Sequence, residues 1–327
     1  MLNRIIKVLN IDYFIQFFDI IVLGDSMNKI VLVGCGNVGM AYAYALVNQK
    51  VYVDELILID INKDKCLGEA MDLNHCMAYS PSKIKVRVGD YNDCSDAKIV
   101  VIAAGANQAK GETRMDLIDK NSKIFSSIIT PIMESGFDGI FVVATNPLDV
   151  MTYLTLKYSK LPYNKVIGSG TTLDTSRLRF ILSEKTGVNP KNIEAYVIGE
   201  HGDSEFIPWS NVNIAYKKVS DILDDVSLDK IEEEVRTSAY TIIEKKGATA
   251  YGIGMCLVKI TNAILENKNS ILPVSSWDVE NRVCISTPAI VGSNGVKEKI
   301  FIPLNEEETN KLINSINTIK DAISKIN

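Results

Sequence analysis

Histidine is nearly absent from this chain: 327 residues hold only two, His75 and His201, and only two tryptophans. The six cysteines, Cys35, Cys66, Cys76, Cys94, Cys256 and Cys284, contain no CxxC pair. Ligands this few and this scattered argue against a bound metal, and the spacing argues against a disulfide framework, which points to a reducing, cytoplasmic compartment. No stretch approaches the roughly 18 uninterrupted apolar residues of a membrane span, so no membrane partner is expected. Excess positive charge is lacking too. Thirty-five basic residues against 40 acidic ones give a formal charge of −5 with no basic stripe, which excludes nucleic acid as an expected partner. Repeats and low-complexity segments are also missing.

What the chain does have is 46% apolar and 23% charged residues, enough for the cores of about two ordinary domains. Residues 1–26 stand apart. Arg4 and Lys7 precede an apolar run from Ile11 to Leu23, interrupted by Asp12, Gln16 and Asp19 on one face of a possible helix. Three readings stay open for this N-terminal extension: a targeting or membrane-surface segment, an arm packing on another subunit, or a disordered or artefactual extension ahead of a natural start at Met27.

From Lys29 onward short β-branched runs alternate with helix-like stretches, the pattern of a parallel sheet covered by helices. The expected strands are Ile30 to Val33, Leu56 to Asp60, Ile84 to Val88, Ile99 to Ala103, Ile140 to Val143 and Val166 to Gly168. Six strands fit two mononucleotide-binding halves, a Rossmann-type doubly wound α/β sheet over residues 27–168. After about residue 170 the pattern changes, and residues 169–327 read as an α+β catalytic domain. It should hold a helix from Thr172 to Lys185, a strand-like Ala195 to Ile198, a long helix ending near Asn267, a β-rich stretch and a closing helix. For that last helix Asn305 and Glu308 form a capping box, and Leu312, Ile316, Ile319, Ile323 and Ile326 form one apolar stripe. Pro131 should kink or restart the helix expected over Asp116 to Ser135.

Three constellations carry chemistry. The first is Gly34-Cys35-Gly36-Asn37-Val38-Gly39, directly after a strand and opening a helix, where glycines allow a tight turn and backbone approach to a pyrophosphate. Asp60, 21 residues beyond Gly39, is placed to accept ribose hydroxyls and to repel a 2′-phosphate, which favours NAD over NADP. The second is Asp174 with Arg177 on one helix face, combined with Gly199-Glu200-His201-Gly202-Asp203. A buried Asp that bonds one imidazole nitrogen leaves the other free to exchange a proton, while Arg177 suits a carboxylate. Taken alone, a structural histidine and a surface ion pair explain these residues as well. The third is the polar segment Gly105 to Arg114, a loop after the fourth strand able to close over a ligand, or simply a solvated connection.

Together with Met71-Asp72-Leu73-Asn74-His75, Ala144-Thr145-Asn146-Pro147, Gly168 to Asp174 and Lys246-Gly247-Ala248-Thr249, these stretches make the chain from Met27 onward resemble the lactate/malate dehydrogenase family, in its bacterial L-lactate branch. The resemblance implies NAD-dependent interconversion of pyruvate and L-lactate, with His201 as proton donor and acceptor, Asp174 as its orienting partner, Arg177 as carboxylate clamp and Arg114 as lid arginine. It also implies that Gln108, Asn146 and Thr249 contact substrate. Gly34, Gly36, Asn37, Val38, Gly39, Asp60, Gly105, Ala106, Asn146 and Ile253 would hold the cofactor, and the protein would be a homodimer or homotetramer. Ala109 and Lys110 depart from the usual bacterial lid, and His75 reads as structural. In relatives activated by fructose 1,6-bisphosphate, the resemblance implies that an Arg and a His from facing subunits bind the phosphates. The Arg is here Arg179, but the His position holds Glu194, so that site is expected to be lost. Other readings are a dehydrogenase of malate or a branched 2-hydroxy acid, and a catalytically idle NAD-binding protein.

Overall fold

The structure is a computed structural model that describes residues 27–106 and 114–326, without the side chains of 114–116. The extension 1–26 and the lid positions Gln108, Ala109, Lys110 and Gly111 lie outside the described residues. The first half runs β1 (Lys29–Val33), α1 (Asn37–Val47), β2 (Glu55–Ile59), α2 (Lys63–His75), β3 (Lys85–Val88) and β4 (Ile99–Ile102). It continues through α3 (Arg114–Glu134), β5 (Ile140–Val143), α4 (Leu148–Ser159) and β6 (Val166–Gly168). All six expected strands form within a residue or two of their expected ends. They pair in parallel in the order β3-β2-β1-β4-β5-β6, the doubly wound topology whose strand order reverses between β1 and β4.

β1, β2, β4, β5 and β6 are buried on both faces, which is why their runs are almost continuously apolar, whereas the edge strand β3 alternates as Lys85-Val86-Arg87-Val88. Successive side chains point oppositely. Thus Ile30 and Leu32 pack with Tyr42, Leu46 and Leu257 under the helices of one face, whereas Val31 and Val33 pack with Ile118, Phe125 and Leu154 under those of the other.

The second half holds α5 (Thr172–Thr186), the small hairpin β7 (Asn213–Ile214) and β8 (Lys217–Lys218), α6 (Asp225–Lys246) and α7 (Tyr251–Leu265). The strands β9 (Ser270–Asp278), β10 (Val283–Gly292) and β11 (Gly295–Lys299) precede α8 (Glu306–Ser324). The β-rich stretch does not build a separate sheet. β9 joins the free edge of β6 antiparallel through Gly168 and Ser275, and β10 and β11 follow, giving nine strands in one sheet.

Three expectations need correction. Helix α3 runs unbroken through Pro131, because the proline falls in its last turn, where a missing N–H disturbs little helix beyond it. The long helix is two, since Gly247 takes φ +84° and closes α6 four residues before α7 begins. Ala195 to Ile198 is buried but forms no strand. Its neighbourhood makes only isolated bridges, to Asn213, Phe206 and Ser286, with a new partner at each step. The closing helix does start on the Asn305–Glu308 capping box, and Ile316 and Ile319 are buried beside Val283 and Ile285.

Candidate active site

Gly36, Asn37, Gly105 and Asn146 lie exposed just beyond the carboxyl ends of β1, β4 and β5, where an open α/β sheet binds its ligand. The glycine turn divides its labour. A Cβ on Gly34 would sit 2.5 Å from Ala104 N and one on Gly39 would sit 1.9 Å from Gly34 O, so both positions need glycine for close packing. At Gly36 a Cβ would meet nothing within 4 Å. Its bare backbone faces open space at the N-terminus of α1, whose cap makes no side-chain hydrogen bond, so the donors of the first turn are left for an anion. Those features fit a dinucleotide pyrophosphate. Asp60 follows β2 directly, and its carboxylate accepts from Cys35 N at 2.7 Å and from Asn62 N at 2.9 Å, holding it against the turn. Val38 packs half-buried on the sheet beneath. Cys35 and Cys66 place their sulfurs 3.5 Å apart, both as free thiols.

Asn121, fully buried on α3, ties the next two loops together. Its Oδ1 accepts from Ala106 N at 2.8 Å, and its Nδ2 donates to Asn146 O at 2.9 Å. This positioning residue escaped sequence reasoning, although it stands as a lone amide on the apolar stripe Leu117, Ile118, Phe125 and Ile128. Arg114 opens the same helix, with its side chain outside the described residues.

His201 sits in a loop fixed at three successive residues. Gly199, at φ +101°, donates its N–H to Ser286 O at 2.9 Å, and Glu200 N donates to Ser315 Oγ at 2.8 Å. His201 N then donates to Asp149 Oδ2 at 2.7 Å. A Cβ at position 199 would lie 2.6 Å from Ser315 Oγ, so the turn and the close approach both demand glycine. Asp149 is the second residue that sequence reasoning missed, a buried carboxyl on α4 whose Oδ1 also accepts from Ser275 Oγ at 2.6 Å. Burial pushes its pKa up to about 6 against these hydrogen bonds.

The imidazole Nδ1 lies 2.7 Å from Asp174 Oδ2, and Arg177 Nη1 donates to Asp174 Oδ1 at 2.7 Å. Asp174 is 1% exposed between the partly buried Arg177 and His201, so this is not a surface pair. Burial alone would lower the His201 pKa, but the surrounding carboxyl groups, Asp174 first and Glu205 and Asp149 after it, outweigh burial and raise the value to about 9. The carboxyl of Asp174 is held below its usual range, because His201 and Arg177 together overcome its own burial. With Nδ1 engaged, Nε2 is the nitrogen left to exchange a proton. Thr249 lies in the loop before α7 and Ile253 in the first turn of α7, a helix that packs on α5 and that Tyr42 of α1 holds through a 2.8 Å bond to Thr261. His75 is exposed in the last turn of α2, away from the other site residues in the fold.

The family model for the lactate/malate dehydrogenase NAD-binding domain matches residues 28–168, and that for the alpha/beta C-terminal domain matches 171–327. L-lactate dehydrogenase 2 of Bacillus anthracis is 49% identical over 311 residues, covering 92% of this chain and 99% of its own. L-lactate dehydrogenase of Geobacillus sp. (strain WCH70) is 50% identical over 311 residues, covering 92% and 97%. The ligands-bound minor L-lactate dehydrogenase of Enterococcus mundtii superposes with a TM-score of 0.90 at 40% identity, over 93% of this chain and 99% of that one. With a glycine cradle at the carboxyl end of β1 and an Asp–His–Arg triad centred on a buried Asp174, matched over both halves, the chain belongs to the lactate/malate dehydrogenase family.

Proposed function

We propose that the protein is an NAD-dependent L-lactate dehydrogenase of the cytoplasm, interconverting pyruvate and L-lactate. The observation that carries this reading is His201 held by the buried Asp174 next to Arg177, at the carboxyl edge of a dinucleotide-binding sheet. Bound NADH supplies a hydride to C2 of pyruvate. Protonated His201 gives its Nε2 proton to the ketone oxygen, and Asp174 keeps the tautomer that leaves Nε2 facing substrate. Arg177 receives the substrate carboxylate through parallel hydrogen bonds. Arg114 stabilises the charge growing on the oxygen, and Asn146 and Thr249 line the pocket. Gly34, Gly36, Asn37, Val38, Gly39, Gly105 and Ala106 hold the dinucleotide, with Asp60 on its ribose and Ile253 on its nicotinamide. Following NADH absorbance with pyruvate and oxaloacetate side by side tests the reading. Turnover of oxaloacetate alone, or of neither, overturns it.

Gln108 is the discriminating position, since a neutral amide suits the methyl of pyruvate. Gln108→Arg is expected to move the ratio of kcat/KM values toward oxaloacetate by more than tenfold, about 1.4 kcal/mol, because a guanidinium pairs with a second carboxylate in a closed pocket. Parallel saturation curves with the two keto acids check it.

A homo-oligomer, dimer or tetramer, is supported by an open cavity of about 660 Å³ between α1, α2 and α7. Tyr44, Tyr251 and Met255 line it while more than half exposed, an apolar surface suited to a second copy. Activity independent of fructose 1,6-bisphosphate is also expected. Arg179 is already engaged, its Nε donating to Ala195 O at 3.1 Å and its guanidinium lying 4.9 Å from the Tyr196 ring centre, while exposed Glu194 adds negative charge beside it. A pyruvate saturation curve that keeps its KM and shape at millimolar effector supports this. A several-fold fall in KM refutes it.

A further inference from the structure

The proposed reaction leaves one buried carboxyl beside the acid/base pair without a task. Glu205, four residues after His201, is 6% exposed, and its Oε2 lies 3.9 Å from His201 Nδ1. It does not receive the Nδ1 proton, because Asp174 Oδ2 holds that position at 2.7 Å. The ligating atoms of Asp174, His201 and Glu205 all fall within 4.8 Å of one another, which sets the two carboxyls side by side. From α5 the group faces Asp174 and Arg177, and from its own loop it faces His201. Cys256 of α7 adjoins the same pair with its thiol pushed up to about 12 by burial, so it is neutral. Asp149 of α4 holds the backbone of His201, and Glu200 is occupied by Ser204 Oγ.

Two carboxylates in contact inside a dry site do not both ionise near neutrality. Asp174 has a cationic or N–H donor on each oxygen, which stabilises its charge. Among the described residues Glu205 has no comparable donor, and burial followed by the Asp174 charge holds its carboxyl well above the usual range. We propose that Glu205 is a positioning residue that keeps its proton in the working enzyme and gives it in a hydrogen bond to Asp174. The inference rests on the reading of His201 as proton donor and adds to it a reason for the local charge. With Glu205 neutral, Asp174 offsets only one of the two positive charges on Arg177 and His201, and one remains for a monoanionic keto acid. An ionised Glu205 would cancel that charge where the substrate carboxylate binds. The bond also withdraws electron density from Asp174, which weakens its support of the imidazolium charge and so makes the Nε2 proton easier to give up.

The test compares the unmodified enzyme with Glu205→Gln, which keeps a donor and carries no charge at any pH, and Glu205→Leu, which has no donor. The first readout is the pH at which kcat/KM for pyruvate breaks. The second is the infrared carbonyl stretch of a protonated carboxyl, recorded on the NADH-bound enzymes near pH 7.5. The Gln variant is expected to keep the break within about half a pH unit and to lack a protonated-carboxyl band that the unmodified enzyme shows. The Leu variant is expected to raise the break, a change that the Gln variant does not share. A break displaced by more than about half a unit in the Gln variant, or no band lost, overturns the proposal. If the Leu variant does not fold, the Gln comparison decides alone. Failure of the unmodified protein to reduce pyruvate would sink the functional reading separately, since the infrared band reports Glu205 without turnover.

Discussion

His201→Asn is expected to lower kcat for pyruvate reduction by roughly 10²- to 10⁴-fold, the usual worth of a positioned general acid. NADH affinity should stay within about threefold, roughly 0.65 kcal/mol. The asymmetry follows from architecture. Apart from Ile253 of α7, the groups placed on the dinucleotide come from the ends of β1, β2, β4 and β5, whereas His201 lies in a loop anchored to α4, β10 and α8. Asparagine preserves a short polar side chain and leaves the backbone bond from position 201 to Asp149 in place. It has no nitrogen that can be protonated near neutrality, so proton transfer falls to water. Stopped-flow turnover with pyruvate and fluorescence titration with NADH separate the two quantities. A tenfold loss of cofactor affinity would mean that the imidazole supports the fold of the dinucleotide edge.

The strands and the glycine turn were legible in the sequence because they depend on short-range pattern. Five-residue apolar runs report double burial, and glycine spacing reports a turn whose geometry is set within six residues. Asp174 and Arg177 were legible for the same reason, three apart on one helix. The carboxyls that complete the site were not. Asp149 lies 52 positions before His201, and its role exists only once β9 and β10 dock on the parallel sheet and bring Ser275 beside it. A local trace of it was nevertheless present, a single acid among the apolar residues Leu148, Val150, Met151 and Leu154. Glu205 left a weaker trace, because nothing in Gly199 to Glu205 marks which of its acids turn inward. The segment Ala195 to Ile198 shows the opposite failure. β-Branched residues advertise burial, but a strand also needs one neighbour in register, and this segment changes partner along its length.

Asp174→Asn should be nearly as damaging as loss of the imidazole, and its signature is a displaced pH profile. In the unmodified enzyme the carboxylate raises the His201 pKa to about 9. Pyruvate reduction, which consumes the imidazolium, should therefore hold a constant kcat/KM below that pH and fall tenfold per unit above it. Lactate oxidation needs neutral imidazole, so its kcat/KM should climb up to the same break and then level. Removing the charge takes away the largest influence that opposes burial, and burial lowers a histidine. The break should therefore fall from about 9, and the protonated fraction near pH 7.5 should fall with it. The amide can also present its NH₂ to Nδ1 and impose the wrong tautomer, so the total loss in kcat/KM should reach roughly 10²- to 10⁴-fold. Because the equilibrium constant links the two directions at any one pH, both should lose by the same factor so long as NAD and NADH bind as before. Profiles for pyruvate and lactate across pH 5 to 10 check this. An Asn variant whose break stays near 9 would show that the Asp174 charge does not set the imidazole's proton affinity.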